Sequence, residues 1–86
     1  MKRGKVLTGI RDCYGKPIPY GALIDFIWWA RGLAGEMELH YKARIRRRRG
    51  GDIFEFIEDE NGKKVHFTHR LTALCWCSDD LELLGR

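Results

Sequence analysis

Between residues 37 and 47 apolar and polar side chains alternate without a break: Met37, Leu39, Tyr41, Ala43 and Ile45 against Glu38, His40, Lys42, Arg44 and Arg46. A period of two sustained over this length belongs to a strand with one buried and one wet face. Gly50-Gly51 follows and can take the positive φ of a two-residue turn. Residues 53–58, rich in aromatic and β-branched side chains, predict a second strand, and Asp59-Glu60-Asn61-Gly62 a second turn. Val65, Phe67, His69 and Leu71 then alternate with Lys64, His66, Thr68 and Arg70. With Gly50-Gly51 as the turn, Arg49 faces Asp52, Arg46 faces Glu55 and Ile45 faces Phe56. Phe54 and Phe56 then share a face with Tyr41, Ala43 and Ile45, and with Val65 and Phe67 across the second turn. A slip of one residue would put every one of them on the wrong face, so the pattern is consistent with a three-stranded meander.

Segments on either side extend the sheet. Residues 6–10 predict a short strand, and Asp12-Cys13-Tyr14-Gly15-Lys16-Pro17 is turn chemistry. The apolar run 22–29 fits strand better than helix because Ile24, Phe26, Ile27, Trp28 and Trp29 are β-formers. Residues 31–36, with two glycines, predict a loop. Residues 71–77 predict a last strand, after which Ser78-Asp79-Asp80 would cap one helical turn over 81–84. The expected fold is all-β: five to six short antiparallel strands and one short C-terminal helical turn, closed into a small barrel that hides its edges.

Eighty-six residues, 44% hydrophobic and 33% charged, suit one small folded domain over 1–86 and exclude large catalytic architectures. The longest apolar stretch, 20–30, is broken by Asp25 and ends at Arg31, well short of the ~20 residues of a spanning helix. No apolar run follows the basic start Met1-Lys2-Arg3-Gly4-Lys5, so no signal peptide is expected. Cys13, Cys75 and Cys77, an odd number without a disulfide-framework spacing, point to a reducing cytoplasm.

The stretch Leu7-Thr8-Gly9-Ile10-Arg11-Asp12-Cys13-Tyr14-Gly15-Lys16-Pro17-Ile18-Pro19-Tyr20-Gly21-Ala22-Leu23-Ile24 resembles the mid-chain signature of the phage-encoded YopX family. Thr8, Gly9, Asp12, Gly15, Lys16, Ile18 and Gly21 fit that signature, and Asp79-Asp80-Leu81-Glu82-Leu83-Leu84-Gly85 is similar to the family's closing stretch. The resemblance implies an SH3-like barrel and a phage or prophage origin, and thus the cytoplasm of a bacterial host. It implies no activity. Ala22 stands where the family signature has an acid. The same residues also read as scaffold: Gly9 and Gly15 suit bends, Asp12 can close an Asx-turn, and Pro17 and Pro19 stiffen an edge.

The formal net charge of +4 conceals a pattern. Lys42, Arg44, Arg46, Arg47, Arg48 and Arg49 precede Asp52, Glu55, Glu58, Asp59 and Glu60, so cross-strand ion pairs are expected, Arg46 with Glu55 first. The tip of this basic block is a candidate phosphate-binding ridge, which makes nucleic acid a possible partner. Adjacent Trp28 and Trp29 must point to opposite faces of a strand, so one of them is expected outside the core unless loop 31–36 covers it. Trp28, Trp29 and Tyr20 are the candidate protein-binding residues. Cys75-Trp76-Cys77 lacks the spacing of a zinc knuckle, and the cysteines read as small buried hydrophobes. His66 and His69 fall on opposite strand faces. No residue set with a catalytic pattern stands out. A non-enzymatic binding or regulatory module follows, without cofactor, metal or membrane and monomeric by default. Its expected partner is a protein of unknown identity, with nucleic acid second and a structural virion role third.

Overall fold

A computed structural model describes residues 6–85. Seven strands form, β1 (Leu7–Arg11), β2 (Pro17–Pro19), β3 (Leu23–Gly32), β4 (Gly35–Arg46), β5 (Ile53–Glu58), β6 (Lys64–Arg70) and β7 (Leu81–Gly85), with 3-10 turns at Leu71–Ala73 and Ser78–Asp80. They are arranged as an antiparallel sheet in the order β6-β5-β4-β3-β7 and a separate β1-β2 pair. The fold is all-β, as the alternation predicts. The two sheets stay separate instead of closing into the expected small barrel.

The core lies on one face of the large sheet. Ile24, Phe26, Ala43, Ile45, Phe54, Phe56 and Leu81 are buried there, and Ile18 of β2 closes over them. The expected faces of β4 and β5 are therefore observed. Phe26 sets its ring edge-on to Phe54 and Phe56, with centroids 4.9 and 5.2 Å away. Burying each such ring stabilises the fold by roughly 1.5–3 kcal/mol, before the smaller gain from ring geometry.

The facing of β4 and β5 differs from expectation by two residues. Glu55 lies opposite Arg44, Ile45 opposite Phe54 and Arg46 opposite Ile53. Parity is kept because a two-residue slip restores every side chain to its face. The cause is the connection, which runs through residues 47–52 instead of a two-residue turn. Arg47 lies over the Tyr20 ring, the Tyr20 hydroxyl donates to Asp52 at 2.6 Å, and Arg70 donates to the Gly50 carbonyl at 3.0 Å.

Three other expectations are corrected. The loop over 31–36 is a tight hairpin, with Gly32 paired to Gly35 and Leu33-Ala34 alone at the turn. Gly35 adopts φ +108°, which a side chain would oppose. Residues 71–77 are not a strand. Leu71 N–H donates to the Asp52 carbonyl, a 3-10 turn follows, and the Trp76 indole folds back to donate to the Leu71 carbonyl at 2.8 Å. The helical turn occupies Ser78–Asp80, and residues 81–85 pair with β3 as a strand. Leu81 and Leu83 alternate with exposed Glu82 and Leu84, so the period there is two.

Several residues of the segment 8–18 have a structural part. The Thr8 hydroxyl donates to the Ile18 carbonyl and accepts from Ile10 N–H. Asp12, only 3% exposed, takes Tyr14 N–H and Lys16 N–H on Oδ1 at 2.9 and 2.8 Å, and Leu83 N–H on Oδ2 at 2.9 Å. Cys13 N–H donates to the Leu81 carbonyl. The β1-β2 corner is thus tied to β7. The turn Asp59-Glu60-Asn61-Gly62-Lys63 repeats the local half of this design: Asp59 Oδ1 accepts Asn61 N–H and Lys63 N–H, both at 2.9 Å. Gly15 and Gly62 occupy the same place in the two turns, each at φ +80°.

Candidate functional site

β3 and β4 outrun their neighbours. β7 pairs with β3 only as far as Phe26, and β5 pairs with β4 only from Lys42. Beyond those points the two strands continue as a ribbon to the turn at Leu33-Ala34, and every residue from 31 to 38 is exposed. This arm gives the molecule its length, 54 Å against 27 and 24 Å across. Its exposed residues include Trp29, Leu33 and Met37.

At the base of the arm the segment 74–80, which leads into β7, leaves a groove of about 550 Å³ against β3. Phe26, Trp28, Leu74 and Trp76 supply apolar wall, and Glu36 and Asp80 line it as acids. The volume falls within the ~300–1,000 Å³ of ordinary binding clefts. Trp29, 50% exposed, stands at this groove with its indole N–H donating to Asp80 Oδ1 at 3.1 Å. The other Asp80 oxygen accepts Cys77 N–H at 3.0 Å, so one carboxylate closes the Ser78–Asp80 turn and positions the tryptophan.

The two tryptophans take opposite faces. Trp28 is half-buried among aromatic rings, with Phe56, His69 and Tyr41 at 5.6, 5.6 and 6.0 Å. Trp29 is the outward one, and the hairpin leaves it uncovered. Tyr20, grouped with them from the sequence, lies elsewhere, under Arg47 and bonded to Asp52.

Most of the basic block is engaged within the fold. Lys42 pairs with Glu58 at 3.1 Å, Arg46 with Glu55 at 2.9 Å, and Arg44 donates to the Gly21 carbonyl. The Arg46–Glu55 pair expected from sequence therefore forms, but diagonally. The Arg46 hydrogen bond holds the Glu55 carboxyl below its usual range against the opposing effect of burial. Lys42, and then Lys64, do the same for Glu58. Arg48 and Arg49 are exposed and, among the described residues, have no acidic partner within ion-pair distance.

Near the arm's base His40 bridges two carboxylates. Nδ1 lies 2.7 Å from Asp25 and Nε2 2.5 Å from Glu38. The Asp25 bond, followed by the Glu38 bond, raises its pKa despite partial burial.

The cysteines are corrected: Cys13, Cys75 and Cys77 are all free and exposed. Cys75 and Cys77 line the groove. Partial desolvation, with Asp12 and Glu82 nearby, raises the Cys13 thiol above its ordinary value. Among the described residues no group of three or more His, Cys, Asp and Glu side chains is placed to hold a metal ion. None of the described helices is long and apolar enough to cross a membrane.

Sequence reasoning missed Glu36, Leu74 and Asp80 as groove residues. Asp80 carried a signal, since its capping chemistry was legible, but which backbone it caps depends on where β7 begins. No family model, curated protein or solved structure matches this chain.

Proposed function

We propose that this protein is a non-enzymatic binding module, of the phage or prophage type that the YopX-like signature suggests, which takes a protein partner at the groove beside Trp29. One observation carries the proposal: an exposed tryptophan, fixed by Asp80 at the mouth of an apolar groove, next to an arm with further exposed apolar residues. Large anchored aromatics beside a pocket are the usual energetic centres of protein interfaces. The free, exposed thiols support a reducing compartment, which fits the cytoplasm of a bacterial host.

The test is affinity capture from that host with matched baits. Trp29→Ser is expected to fold with a stability change of under about 1 kcal/mol, as an exposed site should. Trp28→Ser removes a ring packed on Phe26, Phe56 and Tyr41 and is expected to cost roughly 3 kcal/mol. A partner held by wild type and lost by folded Trp29→Ser supports the proposal. Equal retention by both overturns it.

A second reading, nucleic-acid binding at residues 47–49, is favoured by one observation. Arg70 reaches across from β6 to the Gly50 carbonyl and adds its charge to exposed Arg47, Arg48 and Arg49. It is the weaker reading, because Lys42, Arg44 and Arg46 are already committed within the fold.

A further inference from the structure

The backbone of β3 beside the groove has an unused edge. In β7 the Leu81 carbonyl accepts from Cys13 and Leu83 N–H donates to Asp12, so both groups point away from β3. Backbone polarity alternates along a strand, so Glu82 must face β3, and its partner Asp25 must face β7. By the same alternation Ile27, Trp29 and Arg31 present their N–H and C=O groups on the β7 side. β7 pairing ends at Phe26, and among the described residues no strand pairs with that side of residues 27–32. Trp29 at the groove and Arg31 beyond it therefore leave a short row of unpaired donors and acceptors along this edge. Such an edge is a template for an incoming strand.

The groove specifies what that strand should carry. Phe26, Trp28, Leu74 and Trp76 offer an apolar wall to one set of alternating side chains. Glu36 and Asp80 line the same cleft and Asp79 is exposed in the adjoining turn, so even with Arg31 on the edge opposite Glu36 the site is net acidic. A second copy of this chain would bring the same net charge to the contact, whereas a basic strand complements it.

Resting on the proposed partner-binding role, we infer that the site takes an extended peptide of alternating apolar and basic residues, added to the β3 edge as an extra strand. Main-chain hydrogen bonds to Trp29 and Arg31 would hold it, the apolar wall would fix its register, and Glu36 and Asp80 would select Lys or Arg.

The test titrates the full chain with the synthetic peptide acetyl-Lys-Val-Lys-Val-Lys-Val-amide, followed by tryptophan fluorescence and by amide hydrogen exchange resolved per residue. Two analogues are N-methylated at alternate positions, one on the odd residues and one on the even residues. A third replaces Lys by Glu. Strand addition predicts saturable binding with slowed exchange at Trp29 and Arg31. One methylated analogue should bind roughly tenfold more weakly or worse and the other nearly as well, because only alternate amides face the edge. The Glu peptide should not bind, and Glu36→Gln should weaken the Lys peptide.

Equal binding of both methylated analogues, or of the Glu peptide, overturns the inference. So does binding by none of the peptides, or slowed exchange at Trp29 and Arg31 that grows with protein concentration alone, which would place a second copy on the edge. The partner-capture comparison with Trp29→Ser reads the broader proposal independently, so the two can fail separately.

Discussion

Replacing Asp12 with alanine should show how the β1-β2 corner holds the groove in place. Its carboxylate accepts from Tyr14, Lys16 and Leu83, and alanine would leave these amides without it at a site closed to solvent. Hydrogen bonds to a charged group contribute about 1.5–3 kcal/mol each. The wall around Asp12 in so small a domain is thin, and water that re-enters will recover part of the loss. We therefore expect Asp12→Ala to cost about 3–5 kcal/mol, against a total of about 4–13 kcal/mol for a domain of this length. Asp59→Ala is the internal control. It removes the same two local bonds from an exposed turn with no tie to β7, and should cost only about 0.5–1.5 kcal/mol. The difference isolates the Leu83 tie and the burial. Asp12→Asn should fall between, since its amide can keep the two local bonds only by turning a donor toward Leu83 N–H. Urea unfolding followed by tryptophan fluorescence measures all three. Equal losses for Asp12→Ala and Asp59→Ala would refute the reasoning, because the tie to β7 would then contribute nothing. Acid supplies a second check. Burial pushes the Asp12 carboxyl up, but its bonds to Leu83, Lys16 and Tyr14 and the charge of Lys16 outweigh that and leave its pKa lowered. A lowered folded pKa means that the stabilisation is present above the ordinary carboxylate range and is lost as pH falls through the folded value. The gap between wild type and Asp12→Ala should therefore narrow on acidification.

Three further outcomes are expected. If residues 47–49 bind nucleic acid with two or three phosphate contacts, affinity should fall about 10–40-fold between 50 and 200 mM salt; anisotropy with single- and double-stranded probes measures this, and no binding at low salt removes that reading. His40 has a raised pKa, so its stabilisation is present below the ordinary imidazole range and is lost as pH rises through the folded value. The ring is 40% exposed, so the effect is small: the melting temperature should drop by a few degrees at most on the alkaline side, and His40→Gln should flatten the profile. Finally, all three thiols should react with a disulfide reagent in the native protein, with Cys13 slower than a free cysteine because its raised pKa leaves less thiolate. A native protein with unreactive cysteines would contradict their exposure.

Alternation made β4, β5 and β6 legible because their side chains face a core on one side and water on the other, and that contrast is written directly into residue order. The same logic separated Trp28 from Trp29. It failed where the environment is not two-sided. Residues 71–77 have strand-forming side chains, yet Trp76 satisfies its indole on the Leu71 carbonyl and packs edge-on against Phe54, which a strand would not allow. Leu81-Glu82-Leu83-Leu84 offers too few residues to separate a strand from a helical turn, and the decision came from Asp12 and β3, both distant in sequence. The two-residue change in the facing of β4 and β5 arose similarly, from Tyr20, Asp52 and Arg70 acting on the connection. The repeated Asp-x-x-Gly-Lys turn was present in the sequence and could have been found. Its recurrence at 59–63 follows from turn chemistry, because the second copy forms the same two local bonds as the first.

The open edge and the failed strand over 71–77 are one fact seen from two sides. Had those residues continued as a strand, they could have reached the free side of β3, closed the barrel and filled the space between Trp28 and Trp76. Instead the 3-10 turn at Leu71–Ala73 lifts the chain off β6, and the turn at Ser78–Asp80 brings it back to β3 only at Leu81. What lies between is the groove. An unpaired edge beside exposed apolar residues invites aggregation, and proteins normally blunt such edges with charge, proline or a covering loop. Here Arg31 is the charge on the edge itself, with Glu36 and Asp80 beside it, and Asp80 spends both oxygens holding the rim together. Substituting Asp80 with alanine should accordingly do more than remove a charge. It frees the Trp29 indole and opens the turn at once, so loss of partner capture should exceed that of Glu36→Gln even though both remove one acid from the same cleft.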